Sequence, residues 1–282
     1  MARALQRQRG RPPLDVIEEA VRLLRRAPFH VLLAYYVGAV PCVLGLLYFL
    51  ADMSQGGRAH SYLAEAALGV TALYLWMKCW HAVFARGLWS VHAMEPPPRW
   101  TPGRVARLVH AQALLQPTGL FAWAFALLIV FPYAWVCGFC HGVTVFGDGE
   151  RRDLREVIRR AGIQAGLWPR QANYGLLFLL TFALFVWLNV GVFTVLSPQL
   201  LKMFFGIETV FTQNPVGMLN STVIAATLGV AYLCFDPIRK AFYVVRCFDA
   251  VALDSGDDLR IQLKRLQSSA EGLAAAALLA LC

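Results

Sequence analysis

From Phe29 to Ala51 the chain reads FHVLLAYYVGAVPCVLGLLYFLA, without one Lys, Arg, Asp or Glu. As a helix this run is about 35 Å long, enough to cross the roughly 30 Å of hydrocarbon in a bilayer. Further apolar segments lie at about 62–84, 119–146, 173–196 and 220–235. A soluble domain carries about 25% charged and about 45–50% apolar residues. Here 15% are charged and 58% hydrophobic, an excess that one soluble core cannot hide. The expected fold is all-α: a polytopic transmembrane helical bundle with four full spans, one broken or re-entrant apolar region, and interfacial amphipathic helices. The first 28 residues are too polar for a signal-peptide core, so the first span is expected to direct insertion itself.

Three regions are expected. Residues 1–28 form a basic tail and an interfacial amphipathic helix, with Leu14, Ile17, Val21 and Leu24 on its apolar face. Asp15, Glu18 and Glu19 come early in that helix and Arg22, Arg25 and Arg26 late, the order the helix dipole favours. Residues 29–250 hold the spans. Residues 94–118 are an amphipathic stretch ending at Pro117, and 148–172 are polar and helical in pattern. Residues 251–282 form a cytoplasmic tail with a short amphipathic helix, and the closing AAAALLALC is too short to span.

The charges choose between topologies. If each apolar segment crosses once, Arg151, Arg152, Arg155, Arg159, Arg160 and Arg170 fall outside, as do Arg239, Lys240, Arg246, Arg260, Lys264 and Arg265. Cytoplasmic loops are enriched in Lys and Arg, so this partition is poor. If 119–146 enters and returns, breaking at Pro132, those twelve join Arg3, Arg7, Arg9, Arg11, Arg22, Arg25, Arg26, Arg86, Arg99, Arg104 and Arg107 inside. Only Arg58 and Lys202 are then outside, and Lys78 lies within a span. Each half of 119–146 would span only about 21 Å, which suits a re-entrant hairpin covered by protein better than two ordinary spans. A single kinked crossing is the rival. The formal charge of +9 is read as this bias plus attraction to anionic lipid, with no nucleic-acid partner.

Cys137, Cys140 and His141 spell C-x-x-C-H, the attachment pattern of a c-type haem. The same segment spells G-x-x-x-G at Gly138 and Gly142, which lets membrane helices approach closely. Helix packing is the preferred reading, and no cofactor is expected. A soft metal held by Cys79, His81, Cys140 and His141 is left open. The seven cysteines suggest no disulfide framework.

Other polar residues sit where an apolar chain would not place them idly. Lys78 and His81 lie towards the inner end of the second span, where a lysine can snorkel. Asn189 is deep in LFVWLNVGVF and is expected to bond across helices. Asp236 precedes Pro237, where the last span is expected to be interrupted, leaving Arg239, Lys240 and Arg246 to rim the cytoplasmic interface. These seven residues are the candidate lipid or solute contacts. Glu65 is read as an interface residue, and Asn220, opening NST, as a helix cap. No nucleotide, zinc-protease or serine-nucleophile motif is present, so no catalytic residue is assigned and the chain points away from an enzyme.

The segments DPIRKAFYVVRCFDA and SGDDLRIQLKR, with the architecture, resemble a loose group of bacterial multi-pass membrane proteins of uncharacterised role. That group is similar to the membrane domain accompanying some glycerophosphodiester phosphodiesterases. The resemblance covers about 14–266 and rests mainly on Asp236, Pro237, Gly256, Asp258, Leu259 and Arg260. It implies a bacterial inner membrane and does not support hydrolase activity, since the catalytic domain has no counterpart here. The expected function is a non-enzymatic scaffold or partner subunit, contacting anionic lipids and another membrane protein. The alternatives are a transporter or lipid-handling protein taking an anionic headgroup or solute near Lys78 and Asp236, and an intramembrane metal or haem redox protein.

Overall fold

A computed structural model describes residues 10–55, 61–129, 133–150, 153–208, 212, 220–256, 259–260, 263 and 267. The first nine residues, the break expected at Pro132, and most of the expected C-terminal tail lie outside them. The described chain is helical, with no strand among the described residues. Its elements are α1 (Pro13–Arg26), α2 (Phe29–Gln55), α3 (Leu63–Ala93), α4 (Pro102–Ile129), α5 (Tyr133–Phe146), α6 (Leu154–Gly166), α7 (Pro169–Phe205) and α8 (Ser221–Ser255). Among the described residues three stretches are long and apolar enough to cross a membrane, as expected of a membrane protein: Phe29–Ser54, Pro169–Phe205 and Ser221–Leu253; α3, which holds the expected 62–84 span, is not one of them.

The helices pair antiparallel, and glycines mark the close approaches. Along α2 and α3, Gly38 faces Trp80, Gly45 faces Leu73 and Gly87 faces Val31. Along α7 and α8, Gly175 lies under Phe242 and the Phe182 and Phe235 rings are 6.3 Å apart. Between α4 and α5, Gln116 donates to Thr144 at 3.1 Å, Gln112 to the Gly147 carbonyl at 3.1 Å, and Arg104 to Asp148 at 2.6 Å. The chain between 102 and 146 therefore folds back on itself.

This pairing gathers distant segments at one end of the bundle. Arg11 bonds Asp249 of α8, Gln171 of α7 donates to the Arg11 carbonyl, and Glu19 of α1 faces His92 of α3 at 4.0 Å. Arg86 of α3 reaches Asp148 after α5 at 3.5 Å. The C-terminal end of α7 lies at the opposite end, where Lys202 pairs with Glu208 at 2.8 Å.

Local signals explain most boundaries. Pro13 opens α1, Asp15 lies in its first turn, and Arg25 and Arg26 close it. The Asn220 side chain accepts from the Val223 amide at 2.8 Å and caps α8, as its sequence position predicts. Gly206 and Gly256 end α7 and α8 at φ of 67° and 71°, a left-handed conformation that favours glycine.

Several expectations are corrected. The amphipathic stretch does not end at Pro117: α4 runs through it to Ile129, so the outgoing limb is 28 residues long. The stripe α1 buries is Val16, Ala20 and Leu23, flanked by Ile17 and Leu24, while Leu14 and Val21 are exposed. The helix packs on α3, α7 and α8 rather than lying on a bilayer alone. Pro237 does not interrupt α8, which continues to Ser255.

Helix α6 is amphipathic, and Asp153 caps it by accepting from the Arg155 amide at 2.9 Å. Hydrogen bonds from Arg160 and Arg159 hold the Glu156 carboxyl below its ordinary value of 4.5. A carboxyl lowered by folding stabilises the fold above its unfolded value, and that support is lost as pH falls through the lowered one. The protection factors of the α6 amides, taken relative to the intrinsic exchange rate at each pH, are expected to fall only once pH drops below the usual glutamate range. In Glu156→Gln they should be lower than wild type at neutral pH and lose that acid-dependent fall.

A buried charge cluster as candidate functional site

Asp236 sits 15 residues into α8 and 19 before its end, about 22 Å and about 28 Å along the axis. Lys78 is midway along α3, 15 residues from either end. Sequence position suggested that these groups lie near a membrane interface. The structure instead turns them inward at mid-length. Asp236 and His81 are fully buried, Lys240 is 4% exposed, and Lys78 and Arg239 are partly buried.

The carboxylate of Asp236 organises the cluster. Tyr35 of α2 donates its hydroxyl to Oδ2 at 3.0 Å. Arg239, one turn on along α8, donates Nε to Oδ1 at 2.8 Å, and its Nη2 donates to the same oxygen. Lys240 Nζ stands 3.8 Å from Oδ2, and His81 Nε2 4.0 Å from it. The His81 ring stacks on Tyr35 with centroids 5.0 Å apart. These contacts explain why α8 survives its charges. The groups that would end a span face one another, and a charge in an apolar bundle persists only when paired.

Lys78 belongs to the same neighbourhood. It attracts Asp236 and repels Lys240. Its ammonium lies 5.1 Å from the Tyr74 ring centroid, a cation–π contact. It has no ion-pair or hydrogen-bond partner among the described residues. Neither ring nitrogen of His81 has a hydrogen bond, although the ring is wholly buried.

Of the seven residues singled out from sequence, Lys78, His81, Asp236, Arg239 and Lys240 come together. Arg246 does not join them. It is buried lower in α8, where Nε donates to Gln171 at 3.0 Å and Nη2 to the Leu167 carbonyl at 2.9 Å. That carbonyl belongs to the C-cap of α6, so Arg246 satisfies a helix end and ties α6 and α7 to α8. Asn189 is also elsewhere. It lies on the exposed face of α7 and donates to its own helix at Phe185 O, 2.7 Å away, in place of the cross-helix bond expected of it.

The C-x-x-C-H segment lies on α5 with Cys137, Cys140 and His141 buried. A Cβ at Gly142 would stand 3.1 Å from the Ala161 Cα, and one at Gly138 3.3 Å from the Ala165 Cα. The glycines thus seat α5 directly on α6, as the small-residue spacing predicts. His141 Nδ1 donates to the Cys137 carbonyl at 2.8 Å, leaving Nε2 as acceptor in the neutral ring, and its face stacks on Tyr243 at 4.2 Å. Among the described residues no three His, Cys, Asp or Glu side chains converge to hold a metal ion.

Tyr35, Gln112 and Gln116 were missed from sequence. The two glutamines stand four residues apart on α4 and satisfy α5 from one buried face. An i, i+4 amide pair in a mostly apolar helix was the available signal. Tyr35 offered only a hydroxyl within an apolar run. No family model matches this chain, and no curated protein and no solved structure matches it.

Proposed function

We propose that the protein is a non-enzymatic, multi-pass component of a bacterial inner membrane, acting as a scaffold or partner subunit. In this reading α2, α3, α7 and α8 cross the bilayer, and the α4–α5 hairpin enters and returns. The observation that carries it is the gathering of α1, α6 and both ends of the hairpin at one end of the bundle. That end holds Arg22, Arg25, Arg26, Arg86, Arg104, Arg107, Arg159, Arg160 and Arg170, and is read as the cytoplasmic face meeting anionic lipid. The α3 helix carries Lys78, His81 and Arg86, yet it lies antiparallel along α2 for most of its 31 residues, so it crosses with it. The broad exposed face of α7, with Leu177, Phe178, Phe185 and Phe193, supports contact with lipid or with another membrane helix. The bacterial location rests on the resemblance of the DPIRK and SGDDLR segments.

The topology is tested by single cysteines in a cysteine-free background, labelled with an impermeant maleimide in intact bacterial cells. Lys202→Cys is expected to label directly. Arg155→Cys is expected to label only after permeabilisation, and direct labelling there would overturn the returning hairpin. The scaffold role is tested by extracting the protein from native membranes into lipid nanodiscs. A stoichiometric membrane-protein companion is the expected result. Solute transport by the pure protein in vesicles would overturn it.

A further inference from the structure

The buried cluster is unbalanced. Asp236 is the one acid of the cluster, against the three basic side chains of Arg239, Lys240 and Lys78. Acceptors are equally short. The carboxylate already takes hydrogen bonds from Tyr35 and two from Arg239. Lys240 approaches it only to 3.8 Å, Lys78 has a ring face, and the buried His81 ring has no hydrogen bond at all. A neutral imidazole has one N–H, an ammonium has three, and neither ammonium can accept. Excess cationic donors at mid-depth in an apolar bundle call for a further anion with several oxygens.

The members of the cluster differ in exposure. Asp236, His81 and Lys240 form the closed floor. Lys78, Tyr74, Arg239 and Tyr133 are each partly exposed and form the outer rim. The cationic side therefore faces outwards between α3, α5 and α8.

We propose that the face formed by Lys78, Arg239 and Lys240 binds a phosphate-type oxyanion. Its oxygens accept from the Lys78 and Lys240 ammonium groups and from the remaining guanidinium N–H groups, and its charge complements the basic side chains. Lysine serves phosphate as a point charge, and a guanidinium offers it a fork. The proposal rests on the membrane-embedded reading. A lipid phosphodiester entering sideways and a free phosphate both carry this chemistry.

The test uses the full-length protein in detergent. One arm adds mixed micelles of phosphatidylglycerol or of phosphatidylcholine, followed by native mass spectrometry. The other adds inorganic phosphate against sodium chloride of equal ionic strength and follows the thermal midpoint. Retention of one phosphatidylglycerol that survives delipidation, lost in Lys78→Gln and kept in Lys78→Arg, identifies a lipid phosphate. A phosphate-specific rise in midpoint with no retained lipid, again lost in Lys78→Gln and kept in Lys78→Arg, identifies a free anion. Arg25→Gln/Arg26→Gln is expected to weaken loose lipid association without affecting the retained species. Equal binding by wild type and Lys78→Gln, or none by wild type, overturns the site. If Lys78→Gln does not fold, Lys240→Gln serves in its place, and absence of binding by the wild type remains decisive. Flotation with vesicles is measured in parallel. Flotation without the Lys78-dependent effect defeats the site alone, whereas failure to float defeats the membrane reading beneath it.

Discussion

Asp236→Asn is expected to be the most damaging conservative substitution in the chain, lowering stability by about 3–5 kcal/mol, the range for breaking one partner out of a buried ion pair. The amide has nearly the shape of the carboxylate, so packing is preserved and only charge is lost. Arg239 then keeps its cation with no anion beside it among the described residues, and Lys240 loses its one acidic partner within 4 Å there. Tyr35 still finds an acceptor, so its bond weakens without vanishing. Tyr35→Phe removes that bond alone and should cost about 1.5–3 kcal/mol, as for a hydrogen bond to a charged group. Asp236→Asn/Arg239→Gln should recover part of the loss, because the stranded guanidinium goes with its partner. The measurement is the thermal midpoint of the detergent-solubilised protein, with membrane accumulation as a second reading. A wild-type midpoint in Asp236→Asn would mean that the carboxylate does not neutralise the α8 cations.

The contrast between Asp236 and Asn220 shows which features local sequence can specify. Asn220 acts on an amide three residues away, so its capping role follows from spacing alone. The same holds for Gly138 and Gly142, whose small surfaces suit close packing whichever helix arrives. The surplus of Arg near particular loops also reads directly, because it depends only on where apolar runs stop. Asp236 depends on Tyr35, 201 residues away in sequence, and on His81 in a third helix. Read without those partners, an Asp-Pro followed by two cations resembles the end of a span. With them, the charges turn inward and the helix continues. Pro117 misled for a related reason. Its missing amide costs one helical bond, but Gln112 and Gln116 on the preceding turn are fixed by α5, and beyond the proline Gly119 lies close against Cys140. The α1 stripe shifted by one position because tertiary packing selected Val16, Ala20 and Leu23 over the more hydrophobic Leu14 and Val21. Hydrophobicity alone does not distinguish a residue facing helices from one facing lipid.

The α2–α3 pair carries the second large expected effect. At Gly38 an added Cβ would fall 2.5 Å from the Trp80 Cβ and 3.3 Å from the Met77 carbonyl oxygen. Neither atom is the free end of a flexible side chain, so relief requires the two helices to move apart. Gly38→Ala is expected to cost about 1–3 kcal/mol, the range for overpacking a closely fitted core, and Gly38→Leu more. The penalty should spread along the pair, because Gly45 against Leu73 and Gly87 against Val31 depend on the same interhelical distance. It should also reach Tyr35, less than one turn away on α2, and loosen its bond to Asp236. Gly191 and Gly69 provide the controls. Both lie within helices and have nothing within 4 Å of an added Cβ. Alanine at either should be neutral or stabilise by about 0.5–1 kcal/mol, since glycine is the poorer helix former. Thermal midpoints of the variants in one detergent decide the matter, with the near-ultraviolet signal of Trp76 and Trp80 reporting local separation. Equal midpoints for Gly38→Ala and Gly191→Ala would show that α2 and α3 do not meet at this register, and the placement of His81 beside Tyr35 and Asp236 would fall with it.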